Sequence, residues 1–313
     1  MTHTPKQDRL AILLLLATAA GGCGSSPQPF ALQFAASLNG SAATCTQEFS
    51  GLGPNGQNSI GINDLRFYVS NLQFKNSAGD AVALTLDDSE FQLNQPSGSV
   101  ALIDLTGNTQ GSCAASAVPS SEGTARTNSA VRGTTLVGDV ASVSFDVGVP
   151  QALMKSVIAA QTTESAPSPL NEMYWDWASG YRHLVFNFLV HDGMNNTGGG
   201  YVHVGSTSCG PAGGRALSDR DSCQFVNTPK FVASKFNLST DQVTVDLGAL
   251  LKGLGYIAPI YDPKTFAVIG QGAGVQCHSG QMTKDCMTIF PQVGLDLTTG
   301  LAQAAGNQVF VVR

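Results

Sequence analysis

The sequence predicts an all-β fold, an antiparallel β-sandwich with long disulfide-clipped loops and one or two short helices. Two observations lead to this prediction. Short segments that alternate apolar and polar residues recur along the chain, separated by turn-forming residues. Helical patterns are sparse, and no repeat of fixed length is visible. This combination is typical of a sandwich, and 42% apolar residues suffice for its core.

Eight segments carry the alternating pattern of a half-buried strand. They are FALQFAASL (30–38), INDLRFYVSNLQF (62–74), SVALIDL (99–105), GDVASVSFDVGV (138–149), RHLVFNFLV (182–190), YVHVGS (201–206), DQVTVDL (241–247) and QVFVVR (308–313). Two segments are candidates for short helices. The first, 150–160, begins with a proline, and the second is 248–254.

The segments 182–190 and 201–206 predict a central hairpin. Leu184, Phe186, Phe188 and Val190 share one face, while His183, Val185, Asn187, Leu189 and His191 share the other. The first face is expected in the core, against Val202 and Val204 of the second strand, which leaves Tyr201 and His203 on the opposite face. His183 and His191 are separated by about 26 Å along the strand, so at most one of them belongs to a site with His203.

The amino terminus has the pattern of a secretory signal peptide of lipoprotein type. Lys6 and Arg9 precede an apolar run, 10–20, which ends at Gly21-Gly22-Cys23. That run is too short for a permanent membrane span. We expect residues 1–22 to be removed, Cys23 to be lipidated, and 23–29 to be a linker before one domain, 30–313. Cleavage to a soluble secreted form, with Cys23 unmodified, is the alternative.

Six cysteines remain after Cys23, and an even number in an exported chain predicts disulfides. Of the 15 possible pairings, two are local: Cys209 with Cys223, and Cys277 with Cys286. Cys45 and Cys113 then form the third pair. The alternative is a thiolate metal site, which is disfavoured because no C-x-x-C pair occurs.

Charge and motifs exclude several classes of function. Charged residues make up only 12% of the chain and the net charge is −6, so no basic surface for nucleic acid is expected. The sequence has no nucleophile elbow, no H-E-x-x-H, no phosphate-binding loop and no C-x-x-C-H. We therefore do not expect an enzyme.

The stretch EMYWDWASGYRHLVF (172–186) contains the only two tryptophans, Trp175 and Trp177. An extended backbone there places Met173, Trp175 and Trp177 on one face. Core packing is one interpretation. A second is an exported recognition module, in which the tryptophans and Tyr181 form an aromatic platform for a glycan or a protein partner. An intact indole is no metal ligand, because its N–H is a donor only.

Several blocks of sequence resemble one family in order along the chain. They are TCTQEFSGLG (44–53), NDLRFYVSNLQF (63–74), FDVGVP (145–150), PSPLNEMYWDWASGYRHLVF (167–186), VHVGSTSC (202–209), CQFVN (223–227) and CHSGQMTKDC (277–286). Together they are similar to the MbnP family of copper-binding proteins with a four-cysteine motif. Members of that family are exported partners of MbnH, a di-haem enzyme resembling MauG.

The resemblance implies that the partner enzyme oxidises Trp175 or Trp177 to kynurenine, and that copper(I) binding depends on this modification. With the signal sequence, it implies export to the periplasm or, as a lipoprotein, to the outer membrane, with the cell surface as a further alternative. Ring opening gives an aryl amine and a ketone, which are potential ligands where indole had none. Copper(I) also accepts imidazole and thioether donors.

The resemblance assigns His203 as the first ligand candidate. The family often has an Asn-His pair after its G-V-P block, but Pro150 is followed by QALMKSV with no histidine. His278, Met282 and Met287, from a carboxy-terminal loop, are the candidates to replace it. His183 is expected to be structural or solvent-facing.

Overall fold

The fold is known from a computed structural model, which describes residues 26–107, 113, 125–158, 166–175, 180–209, 223–280 and 283–313. The predicted signal peptide, Cys23, Trp177 and Met282 lie outside the described residues. Within the part of the chain that the structure describes, no helix combines the length and the apolarity needed to cross a membrane.

The predicted all-β fold is confirmed, and its first layer is a six-stranded sheet. Its strands are β1 (Gln28–Leu38), β2 (Ser41–Ala42), β6 (Leu84–Leu86), β9 (Ala130–Thr135), β16 (Val243–Asp246) and β22 (Phe310–Val312). The order across the sheet is β22-β16-β1-β9-β6, with β2 paired to β1.

The second layer is a ten-stranded sheet. Its strands are β3 (Glu48–Leu52), β4 (Asn58–Lys75), β5 (Ala81–Val82), β7 (Gln92–Gln95), β8 (Gly98–Asp104), β10 (Ser142–Val147), β11 (Arg182–His191), β12 (Thr197–Gly205), β15 (Lys230–Ala233) and β19 (Val275–His278). The main order is β15-β10-β4-β11-β12-β19, so β19 is an edge strand.

Three small hairpins and a few short helices complete the fold. The hairpins are β13 (Thr207–Cys209) with β14 (Cys223–Phe225), β17 (Ile257–Tyr261) with β18 (Val268–Ala273), and β20 (Val293–Leu295) with β21 (Ala302–Asn307). The α-helices are α1 (Gln151–Ile158), α2 (Leu247–Leu250) and α3 (Lys284–Gln292), and Val137–Asp139 is a 3-10 turn.

Each of the eight predicted strands lies in a strand of the two sheets, and the two predicted helices correspond to α1 and α2. Helix α3 was not predicted, because it is short, contains Pro291 and begins inside a polar loop pattern. The sandwich is also not purely antiparallel, since β1 pairs with β16 and β12 with β19 in parallel. Long stretches of chain separate each of these pairs, which allows the second strand to return in the same direction.

The core lies between the two sheets and follows the predicted alternation. Aromatic rings meet across the layers, as in the edge-on pairs of Phe34 with Phe67 and with Phe145. Phe186 of β11 lies opposite Val202 of β12, and both are fully buried in this core. The predicted inner face of the central hairpin is therefore correct.

The outer face of the ten-stranded sheet has a second apolar cluster of its own. It includes Tyr68 and Val185 from the sheet, Leu153 from α1, and Met173 and Tyr181 from either side of the tryptophan segment. Residues on this outer face are thus covered locally by α1 and by the segment after residue 166.

The three predicted disulfides are present in the structure: Cys45–Cys113, Cys209–Cys223 and Cys277–Cys286. Cys277–Cys286 joins the edge strand β19 to α3, and both of its cysteines belong to the main core. This bond holds the strand that carries His278.

Candidate metal centre

Two histidines meet on the outer face of the ten-stranded sheet, at its β19 edge. The parallel register of β12 and β19 places His203 opposite His278 and Tyr201 opposite Gln276. His278 was expected in a loop, but it is the last residue of a strand. The pairing arises from the sheet and does not depend on a flexible segment.

The two imidazoles face each other through their Nδ1 atoms. Nδ1 of His203 and Nδ1 of His278 are 3.1 Å apart. Nε2 of His203 is 2.7 Å from Oδ1 of Asn187, and Nε2 of His278 is 3.0 Å from Oε1 of Gln276. An amide oxygen only accepts hydrogen bonds, so this arrangement suits imidazoles that carry their proton on Nε2. With both protons on Nε2, the Nδ1 lone pairs of the two rings face each other.

His203 is the buried member of this histidine pair. Its side chain is buried, and its backbone carbonyl accepts a hydrogen bond from the Ser279 hydroxyl at 2.8 Å. Burial holds the pKa of His203 well below its usual value, with further lowering by His278 and by the positive charges of Arg182 and Arg66. His203 is therefore neutral near pH 7, which is the form that binds metal ions.

Trp175 lies beside both histidines. The centroid of its ring system is 5.8 Å from that of His203 and 6.2 Å from that of His278. Its backbone N–H donates to the carbonyl of Gly180, while the N–H of Arg182 donates to the carbonyl of Met173. This short antiparallel pairing leads directly into β11, so it fixes Trp175 relative to the sheet. Gly180 has φ +71°, a conformation that favours glycine at this turn.

Tyr201 forms another wall of the site. Its ring centroid is 5.6 Å from that of His278 and 6.0 Å from that of His203. Trp175 and Tyr201 are both half-buried, whereas His278 is exposed. The histidine pair is thus reached from solvent past His278 and lies between two aromatic side chains.

A buried ion-pair network holds the segment that leads to Trp175. Arg66 on β4 pairs with Asp64 at 2.7 Å and with Glu172 at 3.6 Å, and Glu172 also pairs with Arg126. Removing one partner of such a buried pair destabilises a fold by several kcal/mol, commonly about 3 to 5. Glu172 comes three residues before Trp175, so this network fixes the start of the tryptophan segment.

The structure brings together three of the predicted site residues, His203, His278 and Trp175. Trp177 and Met282 lie outside the described residues. Met173, predicted to share a face with the tryptophans, is fully buried in the second apolar cluster. Met287 is exposed on α3.

His183 is buried and structural, so its solvent-facing alternative is wrong. Its Nδ1 accepts a hydrogen bond from the backbone N–H of Val149 at 3.2 Å, and its Nε2 is 2.9 Å from the carbonyl oxygen of Val226. His191 lies at the far end of β11, where its Nε2 is 3.9 Å from a carboxylate oxygen of Glu48.

The aromatic platform is not supported in the form predicted. Tyr181, one of its three expected members, is fully buried, and its hydroxyl donates to the carbonyl of Leu170. Trp175 packs edge-on to His203, which leaves it no common exposed face with Tyr181. This arrangement points away from a stacking surface for sugars.

Asn187 and Gln276 are site residues that sequence reasoning did not identify. The alternation along β11 already placed Asn187 on the face of His203, but it gave no register between the strands. Gln276 is two residues before His278 and therefore on its face of β19. A Q-x-H pattern in an edge strand was the available signal.

The donor set favours a late transition metal over a hard cation. Among the described residues, no group of three or more histidines, cysteines, aspartates or glutamates converges on one point. The two imidazoles are flanked by aromatic rings and amides. Hard divalent ions prefer oxygen ligands, whereas imidazole suits copper and other late transition metals.

Fold and site together define a disulfide-clipped β-sandwich with a histidine pair on the outer face of its larger sheet. Residues 27–262 match the family model described as MbnP, and the chain belongs to the MbnP family. The fold is similar to a solved structure, MbnP from Methylosinus trichosporium, with a TM-score of 0.66 and 23% identity over 92% of this chain and 98% of that chain. A search of curated proteins gave no match.

Proposed function

We propose that this protein is an exported copper(I)-binding protein that acts in copper handling, with a site built from His203, His278 and an oxidised Trp175. The MbnP family is associated with copper and is linked to a partner protein system. In this proposal the protein is an accessory protein rather than an enzyme, and copper is its cargo.

The observation that carries the proposal is the pair of facing Nδ1 atoms, 3.1 Å apart. With both rings protonated on Nε2, two lone pairs meet at that distance, and a cation bound by both removes their repulsion. A proton is a poor occupant because burial lowers the pKa of His203. Copper(I) is a suitable one, since it accepts imidazole nitrogen and carries only one positive charge.

Trp175 is the proposed source of a further donor, and its position beside both imidazoles supports this choice. Intact indole has no lone pair to offer. Two equivalents of peroxide cleave the C2–C3 bond of the indole, add two oxygen atoms and leave as two waters. Hydrolysis of the resulting formamide releases formate and gives kynurenine. We propose a di-haem enzyme of the MbnH and MauG type as the catalyst.

Mass spectrometry of the native protein tests the modification. Conversion of one tryptophan to kynurenine adds one oxygen and removes one carbon, a gain of about 4 Da. Protein made together with the di-haem enzyme should carry this gain on the peptide containing Trp175, and protein made alone should lack it. Two unmodified tryptophans in native protein that binds copper(I) tightly would contradict the kynurenine step.

The variant Trp175→Phe separates the two parts of the proposal. It should remain unmodified in the presence of the enzyme and should bind copper(I) as weakly as wild-type protein made without the enzyme. Trp177→Phe is the matched control and should still gain the mass. The reverse result would assign the modification to Trp177.

Export and lipid attachment are also proposed. The basic residues, the apolar run and Gly21-Gly22-Cys23 support a lipoprotein signal, and several acyl chains anchor a protein where one holds it only weakly. Cys23→Ala should release the protein from the membrane fraction. An amino terminus after residue 23 in native protein would contradict lipidation.

A further inference from the structure

The outer ring nitrogens of His203 and His278 are both held by neutral amides. Asn187 is buried on β11, and its Oδ1 is 2.7 Å from Nε2 of His203. Gln276 is half-buried on β19, and its Oε1 is 3.0 Å from Nε2 of His278. The two amides come from different strands, and each lies on the far side of its imidazole from the facing Nδ1 atoms.

We propose that Asn187 and Gln276 are positioning residues that hold both imidazoles in the Nε2–H tautomer, so that the two Nδ1 atoms converge on one ion. This inference rests on the proposed metal site, but it concerns residues that do not touch the ion. A neutral imidazole has one donor and one acceptor nitrogen, and the partner of one nitrogen decides the state of the other. Metal-binding histidines commonly donate their second N–H to an outer hydrogen-bond acceptor, and an amide oxygen can take that place.

The choice of amide over carboxylate matters for the charge of the site. A carboxylate at either position would add a negative charge and favour a divalent ion. The two amides accept the same hydrogen bond and add no charge. Together the two amides satisfy both outer ring nitrogens and leave the charge of the histidine pair unchanged.

The tautomers can be measured without copper. Nitrogen-15 NMR of histidine-labelled, metal-free protein distinguishes protonated from unprotonated ring nitrogens. In the wild type, Nε2 of both rings should be protonated. Gln276→Met should convert His278 to a mixture of tautomers, while Gln276→Glu should keep the Nε2–H form. Gln73→Met, on an exposed position of β4, is the control and should change nothing.

Copper(I) affinity is the second readout, measured by competition with a chromophoric chelator. Gln276→Met should lower the affinity about 10- to 100-fold, the usual cost of losing an outer partner of a ligand, and Gln276→Glu should restore most of it. Asn187→Leu should act in the same way on His203, with Asn187→Asp as its conservative partner. Because Asn187 is buried, the Gln276 pair decides the result if Asn187→Leu does not fold.

Three outcomes are distinguishable. The predicted tautomers together with the predicted loss of affinity support the proposal. The predicted tautomers in a protein that binds no copper(I) support the positioning role and contradict the proposed copper function. Nδ1-protonated rings in the wild type, or a Gln276→Met variant with unchanged tautomers and affinity, would overturn the inference.

Discussion

His183 and His203 lie on neighbouring strands of the same sheet, and both are buried and neutral. They differ in what their ring nitrogens contact. Both nitrogens of His183 are engaged by backbone groups, the N–H of Val149 and the carbonyl of Val226. His203 has one nitrogen on Asn187 and the other directed at His278. Burial and a lowered pKa therefore do not distinguish the two histidines, whereas the partners of their ring nitrogens do.

Removing His203 should give the largest change in copper binding. His203→Ala takes away a proposed ligand, so copper(I) affinity should fall by more than about 100-fold, beyond the loss expected for an outer partner. Chelator competition measures the affinity, and urea unfolding checks that the sandwich remains folded. If this variant bound copper(I) as tightly as the wild type, His203 would not be a ligand and would not differ from His183 in function.

Removing His183 should have the opposite effect, a large loss of stability with unchanged copper affinity. His183→Ala leaves the N–H of Val149 and the carbonyl of Val226 without partners and creates a cavity, at a cost of roughly 4 kcal/mol. The ring also packs tightly against Gly148, where an added Cβ would lie 2.8 Å from it. Urea unfolding measures the loss of stability. Weaker copper binding under conditions in which the variant is fully folded would contradict a purely structural role for His183.

The pH dependence of stability sharpens the comparison, because His183 is held only by backbone groups. Burial lowers its pKa to about 4, against about 6.5 in an unfolded chain. With a depressed pKa in the folded state, its contribution is fully present above pH 6.5 or so, and it is lost as the pH falls towards about 4. The loss amounts to about 3 kcal/mol.

His183→Gln is the control for this pH dependence, since glutamine can keep one donor and one acceptor but does not titrate. The variant should be less stable at pH 7, and its stability should change less between pH 6.5 and 4. If the unfolding free energies of the two proteins changed in parallel with pH, His183 would not titrate on unfolding in this range.

The sequence predicted one half of the site better than the other. Period-two alternation places Asn187, Tyr201 and His203 on the outer face, because β11 and β12 form a local hairpin whose inner face must be apolar. The parallel pairing of β12 with β19 joins residues about 75 positions apart, and no local pattern specifies it. His278 was therefore placed in a loop, and Gln276 was not identified at all.

In the rest of the fold, too, local features were predicted from the sequence and long-range contacts were not. Strands with a clear apolar face were predicted, and the local disulfides followed from their spacing. Helix α3 and the two parallel strand pairs depend on tertiary contacts, such as the burial of Cys286 and Ile289 in the main core. Local sequence carries little information about contacts of that kind.

The smallest expected effect concerns Tyr201, which contacts both imidazoles through its ring. Its centroid lies 5.6 Å from that of His278 and 6.0 Å from that of His203. An aromatic pair contributes about 1 kcal/mol beyond the area that it buries, so Tyr201→Leu should lower copper(I) affinity about fivefold through a less ordered His278. Tyr201→Phe keeps the ring and should bind within about twofold of the wild type, a difference well under 1 kcal/mol. If Phe lowered the affinity as much as Leu, the hydroxyl would be a direct donor, and the site would extend from the histidine pair towards Tyr201.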